Sequence, residues 1–168
     1  MVTKTATTMK LFTTHNDLSE NTREKMIEML NHQLADTFDL FSQTKQAHWN
    51  VKGPNFIQLH ELFDELAGQL VGFADMIAER ATAMGGVAMG TARMAADNSR
   101  LKEFPLKAYY DMDAVKALVE RYGELAASTR EGIDTATKIG DLDTADLLTE
   151  ISREIDKGLW FLEAHIQS

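Results

Sequence analysis

The chain has 168 residues, 44% of them hydrophobic and 26% charged, with a formal net charge of −9, no cysteine and two prolines. That length and apolar content suffice for one domain with a buried core, while the missing cysteines exclude disulfides and thiolate-bound metals. The net charge disfavours nucleic acid and acidic membranes as partners of the average surface and suits attraction of cations, no apolar run reaches the roughly 18 residues of a membrane span, and the start lacks a hydrophobic signal core, so the expected location is the cytosol. Residues 1–16, rich in threonine and carrying Lys4 and Lys10, lack strong periodicity and are expected to form a tail that is mobile at least in part, ahead of one domain over 17–168. A first helix is predicted from near Ser19, with Glu20 and Glu24 in its opening turns, to near Asn50. Its apolar stripe is Met26, Leu30, Leu34, Phe38 and Phe41, and His48, seven residues further on, falls on nearly the same face and points inward. Lys52-Gly53-Pro54-Asn55 breaks it, and a second helix follows over roughly 57–84, ending at Gly85-Gly86. Residues 87–110 form a long link with a short helix around 91–98. A third helix, about 112–139, carries Val115, Leu118, Tyr122, Leu125 and Ile133. After Gly140 a fourth, about 143–166, carries Leu148, Ile151, Ile155, Leu159, Leu162 and Ile166. No segment reads as a strand and no repeat is evident.

The second helix holds the residues with chemistry. His60 with Asp64, and Asp75 with Glu79, are each spaced four apart, so each pair lies on one helix face and can present its donors to one ion. At ~100° per residue the four side chains fall within an arc of about 100°, yet the ~1.5 Å rise separates the two pairs by about 16 Å. One helix therefore cannot close one site. A second copy running antiparallel across a twofold axis near residue 70 would set one chain's His60 and Asp64 against the other's Asp75 and Glu79, giving two identical sites per dimer. Gly68 and Gly72 sit near that crossing, where missing side chains let helices approach, and each otherwise costs about 0.5 to 1 kcal/mol relative to alanine. The plainer reading is a solvated polar face. His48, inward on the preceding helix and close to the other donors, makes a fifth candidate ligand. Imidazole nitrogen and carboxylate oxygen without thiolate suit Fe(II), Zn(II) or Mn(II) alike.

Two hairpins joined by one long crossover describe an all-α, ferritin-like four-helix bundle better than an up-down bundle with short loops. The stretch Lys45-Gln46-Ala47-His48-Trp49-Asn50-Val51-Lys52-Gly53-Pro54-Asn55-Phe56, then His60-Glu61-Leu62-Phe63-Asp64-Glu65 and Asp75-Met76-Ile77-Ala78-Glu79-Arg80, resembles the Dps family of mini-ferritins, the DNA-binding proteins from starved cells. The resemblance continues through Asp143-Thr144-Ala145-Asp146-Leu147-Leu148 and Asp156-Lys157-Gly158-Leu159-Trp160-Phe161, covering the chain from about residue 20 to its end. It implies a hollow homododecamer with metal sites between twofold-related chains, and an enzyme, a ferroxidase, that oxidises Fe(II), preferably with hydrogen peroxide, and stores Fe(III) as a mineral. Removing both Fenton reactants protects DNA. It implies His48, His60 and Asp64 as ligands from one subunit and Asp75 and Glu79 from the other. Trp49 would be an aromatic beside the site that takes up a stray radical equivalent, or a core or interface aromatic, and Lys45 and Arg80 would tune the site or make ordinary ion pairs. Zinc would compete with iron for the same donors.

Asp141, Asp143, Asp146 and Glu150, at the start of the fourth helix, are candidates for an acidic iron-access pore repeated by threefold symmetry, or simply for capping and dipole roles. Glu61 and Glu65 are candidates for mineral nucleation. The alternative function is a DNA-binding nucleoid protein without catalysis, with contacts through the tail lysines Lys4 and Lys10. Twelve chains carry −108 in total (12 × −9), so DNA contact requires locally basic tails acting together.

Overall fold

Helix starts and stops are written in local chemistry. In a computed structural model, described over residues 10–167, Ser19 opens α1 (Glu20–Asn50) by accepting a hydrogen bond from the Thr22 amide on its Oγ at 3.1 Å. α2 is Phe56–Ala83. Thr91 caps α3 (Ala92–Asn98) in the same way as Ser19 caps α1. α4 (Asp111–Ile139) ends at Gly140 in the left-handed conformation, and Asp141 then caps α5 (Leu142–Glu163) through the Thr144 amide at 3.0 Å. Boundaries lie within one to three residues of the expected ones, except that Ile166 falls beyond α5. The pairing of Lys52 with Tyr110 is an isolated bridge, and no strand occurs among the described residues.

α1 packs along α2 and α4 along α5, and the two hairpins close on a shared core that includes Met26, Leu30, Phe63, Leu66, Leu118, Tyr122, Ile151 and Ile155. Phe38 and Phe41 are half-buried, in contrast to the rest of the α1 stripe, because they border an open groove against α2. Ile133 is likewise only half-buried.

The crossover between α2 and α4 is latched rather than loose. Buried Asp36 receives the Arg100 guanidinium through Nε at 2.9 Å and Nη2 at 2.6 Å, together with the Arg100 amide at 2.7 Å. Two charge-assisted bonds from one guanidinium to Oδ2, with the amide on Oδ1, fix orientation as well as proximity. Ser99 Oγ donates to Asp39 at 2.6 Å, and Arg121 Nη2 donates to the Glu103 carbonyl at 2.6 Å. Lys4, with the rest of 1–9, lies outside the described residues. Residues 10–16 run along the bundle, with Leu11 against the core and the Phe12 amide donating to the Gly85 carbonyl at 2.7 Å. Gly85, at φ +85°, is required there, since a Cβ would lie 2.6 Å from the Phe12 oxygen. Among the described residues no helix is long and apolar enough to cross a membrane.

Candidate metal centre

The end of α1 and the start of α2 bring His48 and His60 face to face. Their rings stack with centroids 3.8 Å apart and planes 22° from parallel. His48 Nδ1 lies 2.7 Å from the His60 carbonyl oxygen, and His60 Nδ1 lies 2.9 Å from the His48 carbonyl oxygen. A carbonyl only accepts, so each Nδ1 carries the proton and donates. In the neutral rings this places both Nε2 lone pairs free, the preparation that metal-ligating histidines need. His48 is buried and His60 half-buried.

One helical turn after His60, Asp64 stands beside the pair, its Oδ1 3.9 Å from His48 Nε2. The same oxygen accepts from Lys45 Nζ at 2.6 Å. That bond, with the added field of the lysine and the two histidines, holds the Asp64 carboxyl below its ordinary value of 3.8 although the group is exposed. Lys45 therefore competes with any cation for Asp64. It also lies 5.7 Å above the Trp49 ring, and Trp49 is 67% exposed, which removes it from the core.

Asp75 and Glu79 are exposed on the same helix, with no hydrogen bond or ion pair to their carboxylates among the described residues. Asp75 edges an open groove of about 390 Å³ whose walls include Leu34, Phe38, Phe41, Val71 and Gly72. A Cβ on Gly68 or Gly72 would meet nothing within 4 Å, so neither glycine is demanded by packing inside this chain. Among the described residues no three donor side chains converge closely enough to hold an ion within one chain. The arrangement is two separate groups of open donors: His60 and Asp64 of α2 with His48 of α1, and Asp75 with Glu79 further along α2.

At the start of α5 the acidic cluster divides. Asp141 is buried and fully engaged: it accepts from Arg80 Nη2 at 2.7 Å, from the Thr144 amide at 3.0 Å and from Thr144 Oγ1 at 2.5 Å. Arg80 is thus an ion-pair partner of the α5 cap, with Asp143 3.8 Å away. Asp143, Asp146 and Glu150 are exposed along one side of α5, as are Glu61 and Glu65 on α2. Lys10 is exposed, with its Nζ 4.7 Å over the Phe12 ring. Sequence reasoning missed Asp111, which accepts from the Asn55 amide and Nδ2 in the turn between the two histidines. Its only trace in the chain was an acidic residue at a helix start.

Residues 27–168 match the ferritin-like domain family. The chain is 47% identical to the DNA protection during starvation protein of Agrobacterium fabrum over 159 residues, covering 95% of this chain and 98% of that protein. A solved structure of Mycobacterium smegmatis Dps aligns with a TM-score of 0.89 at 31% identity, over 95% of this chain and 90% of the other. A Dps protein from Vibrio cholerae O1, described as a member of a broad superfamily of ferritin-like diiron-carboxylate proteins, aligns with a TM-score of 0.87 at 25% identity, over 94% and 99%.

Proposed function

The chain belongs to the Dps family of ferritin-like proteins, and from that premise we propose that it is a cytoplasmic ferroxidase that oxidises Fe(II) with hydrogen peroxide and stores the Fe(III) in a homododecameric shell. The observation that carries this reading is the two separate groups of donors. A second copy of the chain across a twofold axis would set its Asp75 and Glu79 against His48, His60 and Asp64, and Gly68 and Gly72, where an added Cβ meets nothing within 4 Å, would permit the close approach. The same contact would cover the apolar groove beside Asp75.

The chain's own groups account for the chemistry. Hydrogen bonds from Nδ1 fix both imidazoles, so Fe(II), the substrate, meets two lone pairs already aimed. Three carboxylates supply anionic oxygen, which stabilises Fe(III) over Fe(II) and so favours loss of the electron. Two Fe(II) give one electron each to one hydrogen peroxide, whose O–O bond breaks. The two Fe(III) formed hydrolyse with water to oxyhydroxide and release four protons in all. Both Fenton reactants are consumed together, which protects nearby DNA. Asp143, Asp146 and Glu150, exposed and repeated by threefold symmetry, focus cations toward the interior, whereas Asp141 serves as the α5 cap. Protection by iron chemistry needs no DNA contact, which suits a shell with a net charge of −108 (12 × −9).

The test is anaerobic addition of Fe(II) to the metal-free protein followed by peroxide or oxygen, with ferric absorbance compared between wild type and a His60→Ala, Asp64→Ala double variant, both confirmed as assembled. Fast oxidation to a soluble ferric product is expected in wild type and its loss in the variant, with Zn(II) slowing the wild type. Equal, slow oxidation in both proteins would remove the ferroxidase assignment.

A further inference from the structure

We infer that Asp111, at the start of α4, is a positioning residue for the histidine pair: it fixes the turn between α1 and α2 and thereby the angle at which His48 and His60 present Nε2. The inference rests on the reading that this pair binds Fe(II).

The two imidazoles sit on either side of a short connection. His48 is three residues before Val51, where α1 ends, and His60 is five residues after Asn55, where α2 starts. Each ring is held by the other residue's backbone carbonyl, so any change in the relative placement of the two helix ends strains both bonds at once. What fixes that placement is not local. Asn55 occupies the cap position of α2, yet its side chain makes no cap bond to its own helix. Instead the Asn55 amide and Nδ2 both donate to Asp111 Oδ2, each at 2.9 Å, from 56 positions away in sequence. On either side of Asp111 the backbones interlock. The Lys52 amide donates to the Tyr109 carbonyl at 2.8 Å, and the Asp111 amide donates to the Lys52 carbonyl at 3.0 Å.

The fit around the carboxylate is specific. Gly53 has φ +134°, and a Cβ there would fall 1.6 Å from Asp111 Oδ1. The missing side chain of Gly53 is the space that the carboxylate fills. Asp111 is 7% exposed and Oδ1 has no hydrogen-bond partner. A buried carboxylate with an orphaned oxygen is a costly way to hold a turn. Its place in the first turn of α4, where free amides and the helix dipole favour negative charge, offsets part of that cost. A contact that persists at such expense beside two ligand histidines is explained by what it positions.

The experiment uses assembled, metal-free shells of wild type, Asp111→Ala, Asp111→Asn and the core control Ile155→Val, titrated with Co(II) and followed by its visible absorption. Asp111→Ala is expected to need about tenfold more Co(II) for half-saturation, the scale on which groups outside the coordination sphere orient ligand imidazoles, and to alter the shape of the band. Asp111→Asn, which keeps an oxygen for Asn55, is expected to stay within about threefold of wild type. Ile155→Val is expected to lower thermal stability and leave the Co(II) titration unchanged. Wild-type affinity and spectrum in Asp111→Ala would overturn the inference, as would an equal loss in the core control. Should Asp111→Ala fail to assemble, Asn55→Ser carries the test. It keeps the backbone amide bond to Asp111 but removes the Nδ2 arm, weaker Co(II) binding is expected, and unchanged binding overturns the inference. A wild type that takes up no Co(II) at all would instead overturn the iron-binding reading beneath it.

Discussion

Near its N-terminal end, α2 holds His60 and Asp64 in contacts that are already made: a stacked ring, two bonds between imidazole and carbonyl, and an ion pair to Lys45. Eleven to fifteen residues further on, Asp75 and Glu79 stand exposed with no hydrogen bond or ion pair to their carboxylates among the described residues, beside an apolar groove and close to two glycines where an added Cβ would meet nothing within 4 Å. The same helix thus carries one donor pair that is held by contacts within its own chain and one that is not. Under the proposed twofold contact, the contrast teaches how the two chains would divide the work. Imidazoles need a fixed tautomer and direction, so they are set in advance by their own fold. Carboxylates bind through either oxygen and tolerate a range of angles, so they can be left for the partner to place.

The sharpest way to break this comparison is to fill the glycine seam. Gly72→Leu leaves the single chain room for the new side chain but blocks the twofold approach, so size-exclusion chromatography is expected to show loss of the assembled shell with helical circular dichroism retained. An intact shell would mean that the seam is not the contact. A second test separates the halves. His60→Ala and Glu79→Ala subunits, each inactive alone, should regain about a quarter of the wild-type sites when refolded together in equal amounts. Half of the random dimers are then mixed, and each mixed dimer has one intact and one doubly damaged site. No recovery, with mixed dimers demonstrated, would place both ligand sets within one chain.

The smallest effect expected is at Lys45. Lys45→Gln frees Asp64 from its competing cation, and Fe(II) affinity measured without oxidant should rise several-fold. The pH dependence has a definite sign. Because the Asp64 carboxyl is held below 3.8, the Lys45 contact contributes above that value and is lost only as pH falls through the lowered one. Loss of metal binding while the pH is still above 3.8 therefore does not come from the Lys45–Asp64 contact and should persist in Lys45→Gln. An acid limb that moved upward by the same amount as the Asp64 titration would contradict this.

What the sequence by itself determined is whatever repeats or punctuates locally. The periodic apolar positions located the four long helices, Ser19 and Gly140 marked the start of the first and the end of the third, and the length of the 87–110 segment pointed to a crossover. Spacing along α2 likewise showed that His60 and Asp64 could not share an ion with Asp75 and Glu79 of the same chain, because helical rise is fixed at any position. The tertiary structure decided whatever joins distant residues. It alone gave the reciprocal bonds between His48 and His60, the exposure of Trp49, and the assignment of Asp141 to Arg80 and the α5 cap. It alone paired Asp36 with Arg100 across 64 positions and Asn55 with Asp111 across 56. Hydrogen bonds and ion pairs of this kind depend on where helices lie against one another, and an isolated Asp or Asn in a sequence reads the same whether it faces solvent or holds a turn in place.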